Sequence, residues 1–273
     1  MAYADTRLGQ MHLRVWPGPA DAGGPPVVCL HPVPYSGAYF DHFAADLSQR
    51  LSVLAVDRMG YGGSAPLDKP APIAEHAAAV ADALQSQGIG RYVPLGFHTG
   101  SAVGVELALT RPRRVPRLVC ITFPLLSPEE REDQLAGLGR TPQSGEQIDS
   151  LRRRWRFTVN NRAAGVPLDA AISNFIEELR AGDQAWFGFQ SIFEYPSEER
   201  LPKVKQPALV INVEGSLKGP TQQAAELLPE SSYVEFENMS KGIFELHAQQ
   251  LASAVSAFVE GPPPSQDPSP EPE

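Results

Sequence analysis

Short apolar runs alternate with helical stretches over the first 122 residues, and this alternation most strongly limits the fold. Val27–Leu30 and Val53–Val56 are apolar throughout, as strands buried on both faces of a sheet must be. Helices are expected at about 36–50, 71–87 and 101–110. This short spacing predicts an α/β fold with a mostly parallel, doubly wound sheet. The full set of predicted early strands is Met11–Trp16, Val27–Leu30, Val53–Val56, Tyr92–Leu95 and Arg117–Thr122.

The pattern changes after Phe123-Pro124. From 125 to about 202 no run has the character of a strand, and only helical stretches occur, near 129–138, 146–159, 168–180 and 185–193. Strands are expected again at Ala208–Asn212 and Tyr233–Phe236, before a last amphipathic helix at about 245–259.

These boundaries divide the chain into three parts. Residues 1–124 and 203–260 are predicted to form the α/β core, with 125–202 inserted as a helical cap. Residues 261–273 are acidic, rich in proline and without apolar anchors, so a disordered tail is expected there.

Composition narrows the classes of partner. With 273 residues and 42% hydrophobic content the chain can bury a large core, and its net charge of -9 argues against nucleic acid or anionic membrane. The N-terminus has no apolar signal region and no segment reaches the length of a membrane span, so a cytoplasmic protein is expected. Cys29 and Cys120 lie in strand runs and are predicted to be buried, with neither a disulfide nor a metal.

Gly96-Phe97-His98-Thr99-Gly100 follows a predicted strand and precedes a predicted helix. Its glycines leave room for a sharp strand-to-helix turn that lifts the central side chain above the sheet. Histidine tolerates the positive φ of such a turn better than most residues. His98 is therefore predicted to face a pocket. Because imidazole titrates near neutral pH, it could act there as a general base or as a nucleophile, or simply hydrogen-bond its neighbours.

Three ordered landmarks resemble the α/β-hydrolase superfamily over about 1–260. His31–Gly37 resembles the family's oxyanion loop, with Pro32 in place of a glycine, and Asp57–Ser64 matches the turn D-x-x-G-x-G-x-S. Gly96–Gly100 then resembles the nucleophile elbow. The resemblance implies an α/β-hydrolase fold with a helical cap insertion, and a triad of nucleophile, acid and histidine.

All three triad positions differ in identity from the family pattern. His98 stands at the nucleophile position, and Gly215 and Ser216 fall where the acid is expected, which leaves Glu214 as the nearest carboxylate. Lys241 falls where the family's histidine follows the last strand. His98, Glu214 and Lys241 are the catalytic candidates. Lys241 could instead anchor an anion, or pair with Glu245 one helical turn on.

The resemblance also implies an oxyanion site. Its donors would be the backbone N–H groups of Thr99 and of Val33, since the prolines on either side of Val33 have no N–H. Ser36 and His31 lie in the same loop and are substrate-binding candidates. The resemblance also gives His31 a second interpretation, packing against the sheet, and a metal shared by His31 and His98 is an alternative. Without a third ligand in view, no metal and no cofactor are predicted.

Three further features have two interpretations each. Ser101 could be a displaced nucleophile but lacks flanking glycines, and Ser216 has no evident partner. Arg152–Phe157 is predicted to be a solvated helix face with Trp155 packed inward, or else a surface that recognises an acidic partner. The aromatic residues between 186 and 195 are predicted to form the lid's core or to line an apolar pocket; they are Trp186, Phe187, Phe189, Phe193 and Tyr195.

The sequence thus predicts a protein of the α/β-hydrolase fold that acts on a small carbonyl-containing molecule. Ester or C–C hydrolysis would follow the family, whereas elimination or isomerisation would need only a base and a carbonyl anchor. The alternative is a non-catalytic ligand-binding or scaffold protein, which the substituted triad supports. A small molecule is the expected partner in both cases, and the oligomeric state stays open.

Overall fold

The computed structural model describes residues 1–20, 23–138, 148–182 and 184–262. A β-sheet lies at the centre of the fold. The eight strands are β1 (Ala2–Thr6), β2 (Gly9–Trp16), β3 (Val27–Leu30), β4 (Val53–Val56), β5 (Val93–Phe97), β6 (Leu118–Ile121), β7 (Ala208–Val213) and β8 (Ser231–Phe236). Their order in the sheet is β1-β2-β4-β3-β5-β6-β7-β8. Among the described strands, the pairs β1–β2 and β2–β4 are antiparallel, and the other neighbouring pairs are parallel. The predicted mostly parallel, doubly wound sheet is confirmed.

Helices follow most strands, as the alternation predicts. In the first half they are α1 (Asp41–Leu47), which a 3-10 turn at Gly37–Phe40 precedes, α2 (Ile73–Ser86) and α3 (Thr99–Thr110). Between β6 and β7 lie α4 (Pro128–Leu138), α5 (Ile148–Trp155), a π-helical turn at Arg156–Asn160, α6 (Leu168–Ala181), α7 (Gln184–Phe193), α8 (Ser197–Arg200) and a 3-10 turn at Leu201–Lys203. The last are α9 (Lys218–Leu227), α10 (Ile243–Leu246) and α11 (Ala248–Glu260).

Apolar cores lie on both faces of the sheet. On β3, Val28 and Leu30 face the core shared with α2 and α3, whereas Val27 and Cys29 face the core shared with α1 and α11. A strand buried on both faces must be apolar at every position, which explains the continuous runs in the sequence. Each fully buried valine or leucine contributes roughly 1.5–3 kcal/mol, so these strands stabilise the sheet beneath its carboxyl edge.

Some elements differ from the predicted ones. The edge strand β1 was not predicted, because Ala4 alone of its five residues is buried and the run has no apolar face. The helix α9 was missed too, since Gly219 and Pro220 suggest a turn, although proline is tolerated in a first helical turn. The predicted helix at 36–50 is a 3-10 turn followed by α1, which ends at Leu47.

Other predictions have simple outcomes. Cys29 and Cys120 are free and buried, as predicted, and burial raises the pKa of Cys120 to about 12. Within the described residues no helix is long and apolar enough to cross a membrane. The predicted tail at 261–273 lies outside the described residues from 263 onward.

Candidate active site

The turn at Gly96–Gly100 forms where β5 meets α3. His98 has φ 51° and ψ −117°, a conformation that few residues other than glycine adopt. A Cβ at Gly96 would overlap the backbone of Ser101, and a Cβ at Gly100 would overlap the carbonyl oxygen of Leu30. The two glycines therefore permit the close approach of α3 to the sheet, and the strained residue between them projects above the sheet.

His98 faces a cavity of about 460 Å³ above the carboxyl ends of the strands. A volume in this range suits a small organic ligand. Three parts of the chain supply the walls: the loop after β3, the helical segment between β6 and β7, and the loop that leads into α10. The lining residues include Val33, Tyr39, Phe97, His98, Arg154, Phe157, Arg162, Glu178, Trp186, Phe189, Lys241 and Glu245.

The His98 ring is half-buried, and none of the described residues hydrogen-bonds it. Its nearest aromatic contact is Phe97, with the ring centroids 4.1 Å apart. Burial lowers the pKa of His98 to about 4, because the charged imidazolium loses hydration inside the cavity. The ring is therefore neutral at pH 7 and keeps a free lone pair.

His31, by contrast, is fully buried and uses both ring nitrogens. Its Nδ1 donates to the carbonyl oxygen of Pro32 at 2.9 Å, and its Nε2 accepts the backbone N–H of Arg58 at 2.9 Å. Burial lowers the pKa of His31 well below its usual value. The binding role given to His31 is thus corrected to a structural one, and no lone pair is left for a metal shared with His98. No group of three or more possible metal ligands occurs among the described residues.

Both predicted oxyanion donors are buried, but they differ in their access to the cavity. Val33 lines the cavity, whereas Thr99 lies outside the lining. No described acceptor takes the N–H of either residue. Ser36 does not line the cavity. Its Oγ instead accepts the Ala38 N–H at 3.3 Å and caps the 3-10 turn. The substrate-binding role predicted for Ser36 is therefore corrected to a structural one.

Glu214 does not reach the cavity lining. Its carboxylate accepts from Lys218 Nζ at 2.6 Å, and its side chain is 42% exposed. Its backbone N–H is fixed to the carbonyl oxygen of Met239 at 2.7 Å, so the loop turns the carboxylate toward α9 rather than toward His98. The structure therefore does not bring these two catalytic candidates together. Ser216, nearby, is exposed.

Lys241 does line the cavity, at its mouth. Its Nζ lies 4.9 Å from the centre of the Phe157 ring, a cation–π contact. The alternative pair with Glu245 is absent, since Glu245 instead accepts from Asn174 Nδ2 at 3.3 Å. Burial raises the pKa of Glu245. Glu245 is a cavity carboxylate that sequence reasoning treated only as a surface partner, because its helical spacing to Lys241 was the only local signal.

The arginine run divides between solvent and cavity. Arg154 turns inward and lies 3.6 Å from Glu178, and both residues line the cavity. Arg152, Arg153 and Arg156 are exposed, as a solvated face predicts. The inward packing predicted for Trp155 is wrong, since 39% of this residue is exposed, although its ring contacts Phe175. Arg154, the inward residue, could not be singled out from four arginines in one run.

Two of the predicted lid aromatics, Trp186 and Phe189, line the cavity, while Tyr195 is buried in the core. Ser101 is no second nucleophile, because it is fully buried and its Oγ donates to the Thr122 carbonyl oxygen at 2.9 Å. His98 is therefore the side chain that the turn presents to the cavity.

Comparisons with known proteins agree with this architecture. A protein-family model described as the alpha/beta hydrolase fold matches residues 25–247. RutD of Yersinia enterocolitica, a carbamate hydrolase by name, is 28% identical over 241 residues, which are 82% of this chain and 83% of RutD.

Solved structures are similar as well. An enol-lactonase from Burkholderia xenovorans LB400 has a TM-score of 0.76 at 21% identity, covering 95% of this chain and all of that chain. A thermophilic esterase from Thermogutta terrifontis has a TM-score of 0.77 at 18% identity, covering 95% of this chain and 97% of that chain. At these identities the structural likeness shows the fold alone.

Proposed function

The chain belongs to the α/β-hydrolase fold family, and from that premise we propose that it is an enzyme acting on a small carbonyl-containing molecule, with His98 as its general base. The observation that carries the proposal is the His98 ring, which faces a cavity of about 460 Å³, has no described hydrogen-bond partner and is neutral at pH 7. A neutral imidazole placed in a pocket can take a proton from a substrate or a water.

A base fits this site better than a relayed nucleophile does. In a triad, the acid orients the histidine and stabilises its charged form. His98 has no carboxylate within hydrogen-bond distance among the described residues, and Glu214 is paired with Lys218. A lone imidazole can still move a proton, since it needs only a lone pair and access to the substrate.

Three reactions use this geometry. In hydrolysis, His98 would take a proton from a water whose oxygen attacks the carbonyl carbon, and would return that proton to the leaving group. In isomerisation, His98 would take a proton from the carbon beside the carbonyl and return it to another carbon of the enolate. In elimination, the same deprotonation would form a carbon–carbon double bond as the leaving group departs from the next carbon, and His98 would return the proton to that group. In each, negative charge develops on the carbonyl oxygen, and the free N–H groups of Val33 and Thr99 are the candidate donors to it.

The helical segment completes the pocket in this proposal. Arg154, Trp186 and Phe189 come from α5 and α7 and line the cavity opposite the sheet. We therefore assign 125–202 as a cap that shields the reacting carbonyl from bulk water. Carbamates, enol lactones and esters, which the names of the similar proteins mention, are all carbonyl compounds of the proposed class.

Turnover on a panel of carbamates, lactones, esters and β-dicarbonyl compounds tests the proposal. The wild-type chain is compared with His98→Ala and with His42→Ala, a matched control because His42 is exposed and outside the cavity lining. A general base contributes about 10²- to 10⁴-fold, so His98→Ala should lose that much while His42→Ala keeps the wild-type rate. Equal rates for all three proteins would remove His98 from the mechanism.

A second candidate function is ligand binding without turnover. The same missing carboxylate that argues against a relay favours this alternative. It predicts that the wild-type chain binds members of the panel but converts none of them. Conversion of even one compound in a His98-dependent manner would contradict it.

A further inference from the structure

The charged side chains of the cavity are not balanced. Arg154, Arg162 and Lys241 line it, against the carboxylates Glu178 and Glu245. The whole chain has a net charge of -9, so an excess of cations here runs against the overall composition. A ligand in the cavity would interact with those charges that have no oppositely charged partner within the protein.

Arg154 and Glu178 largely neutralise each other across 3.6 Å. Glu178 also accepts from the Thr158 hydroxyl at 3.0 Å, so the pair is held in the wall and offers a ligand little net charge. Their side chains are 18% and 14% exposed, in a setting where an uncompensated charge would be costly.

Arg162 and Lys241 have no carboxylate partner among the described residues. The Arg162 side chain donates hydrogen bonds to backbone carbonyl oxygens, from Nε to Val166 at 3.0 Å and from Nη1 to Val159 at 2.9 Å. These bonds close the turn but leave the positive charge of Arg162 without a carboxylate. The Lys241 ammonium makes a cation–π contact with the Phe157 ring, whose centre lies 4.9 Å from Nζ. Glu245 instead accepts from Asn174 Nδ2 at 3.3 Å, and burial raises the pKa of Glu245.

An ammonium group beside an exposed aromatic ring suits a particular kind of ligand. Phe157 is 65% exposed, and Tyr39, Phe97 and Phe189 extend the aromatic surface into the cavity toward His98. Lys241 can bind an anionic group at the mouth while the apolar body of the ligand lies against these rings.

We propose that the site takes a carboxylate-bearing substrate, an apolar carbonyl compound whose carboxylate Lys241 binds at the cavity mouth. This substrate class rests on the proposed function, because it treats the ligand as the molecule on which His98 acts. Lys241 then has a binding role in selecting the substrate and takes no part in proton transfer.

Binding of two ligands of matched shape tests the inference without requiring turnover. Phenylacetate and its neutral analogue phenylacetamide are titrated calorimetrically into the wild-type chain, Lys241→Met, Lys241→Arg and Lys203→Met. Lys203 is exposed and outside the cavity, so its variant is the matched control. The wild-type chain should prefer phenylacetate, and added salt should weaken that preference.

Lys241→Met should weaken phenylacetate binding about 5-fold, the size of a well-placed exposed ion pair, and leave phenylacetamide binding unchanged. Lys241→Arg should keep the preference, and Lys203→Met should match the wild type. Equal losses for both ligands would show that Lys241 only shapes the mouth, and would overturn the inference. So would a wild-type chain that binds phenylacetate no better than phenylacetamide.

The two proposals can fail separately. If His98→Ala retains wild-type turnover while Lys241→Met selectively loses phenylacetate, the proposed function fails and the anion site stands. If turnover depends on His98 but is equally fast with neutral and anionic substrates in wild type and Lys241→Met, the anion site fails and the base stands.

Discussion

Two histidines follow neighbouring parallel strands, yet the protein uses them in opposite ways. His31 comes directly after β3 and His98 directly after β5, and these strands pair in register with Leu30 opposite Gly96. Both nitrogens of His31 are bonded to backbone groups, whereas no described residue bonds the ring of His98. His31 fixes the loop that carries Val33, and His98 is left free to meet a ligand.

The difference lies in the backbone rather than in the residue type. His31 is buried under Tyr61, whose ring is 5.2 Å away, and receives the Arg58 N–H from a remote turn. His98 is lifted from the sheet by a positive φ, which the flanking glycines make possible. Hydrogen bonds fix the ring of His31 in the core, whereas the strained backbone at His98 directs its ring into the cavity.

The turn at Gly96–Gly100 should tolerate substitution less well than either histidine does. Gly100→Ala places a Cβ against the carbonyl oxygen of Leu30, which is backbone and cannot move aside. We expect the free energy of unfolding to fall by about 3 kcal/mol. Gly90→Ala is the control, because a Cβ at Gly90 meets no atom within 4 Å. Urea denaturation of both variants measures the effect, and similar midpoints would show that the turn is not held this tightly.

Removing the two rings should separate the two roles. His31→Ala leaves the Arg58 N–H unpaired in a buried site, while the Pro32 carbonyl oxygen keeps the Tyr35 N–H, so we expect a loss of about 2 kcal/mol of stability. His98→Ala breaks no hydrogen bond to a described residue and should change stability by less than about 1 kcal/mol. Thermal and urea unfolding of the pair measure this. Equal losses would contradict the distinction between a structural and a free histidine.

His76 on α2 offers a third case, because it is buried and neither ring nitrogen has a hydrogen-bond partner among the described residues. Burial lowers the pKa of His76 to about 3, below the value of the unfolded chain. The unfolded state therefore binds the extra proton, and stability falls as the pH drops from about 6.5 toward 3. His76→Leu removes that proton, so the slope of unfolding free energy near pH 5 should flatten by about 1.4 kcal/mol per pH unit. An unchanged slope would show that His76 is protonated in the folded protein.

Backbone strain at His98 predicts the smallest effect. Glycine adopts positive φ without the clash of a Cβ, so His98→Gly should be about 1 kcal/mol more stable than His98→Ala. The comparison with alanine removes the ring from both variants and leaves the backbone as the difference. If His98→Ala is the more stable protein in urea, the turn stores no strain at this position.

The fold was predictable because its signals are local. Val27–Leu30 and Val53–Val56 are apolar at every position, and burial on both faces of a parallel sheet requires that pattern. The edge strand β1 faces solvent and carries no such pattern, so it could not be recognised. The position of His98 was also local, since the spacing of Gly96 and Gly100 encodes the turn.

The rest of the site depends on contacts between remote segments. Distance along the chain after a strand suggested Glu214, but Lys218 and the Met239 carbonyl determine where that residue points. The His31 ring is fixed by the backbone N–H of Arg58, which lies 27 residues away in the sequence, so no local pattern predicts this hydrogen bond. Loop direction, unlike strand burial, is set by tertiary hydrogen bonds.

The pH dependence of kcat/KM, on whichever panel compound the wild type converts fastest, tests most directly whether His98 is the working base. Because burial lowers the pKa of His98 to about 4, we predict that the rate rises with pH through about 4 and is level at neutral pH. His98→Gln, which cannot accept a proton, should lose about 100-fold or more together with that rise. A His98→Gln enzyme that keeps the wild-type rate and profile would contradict the account.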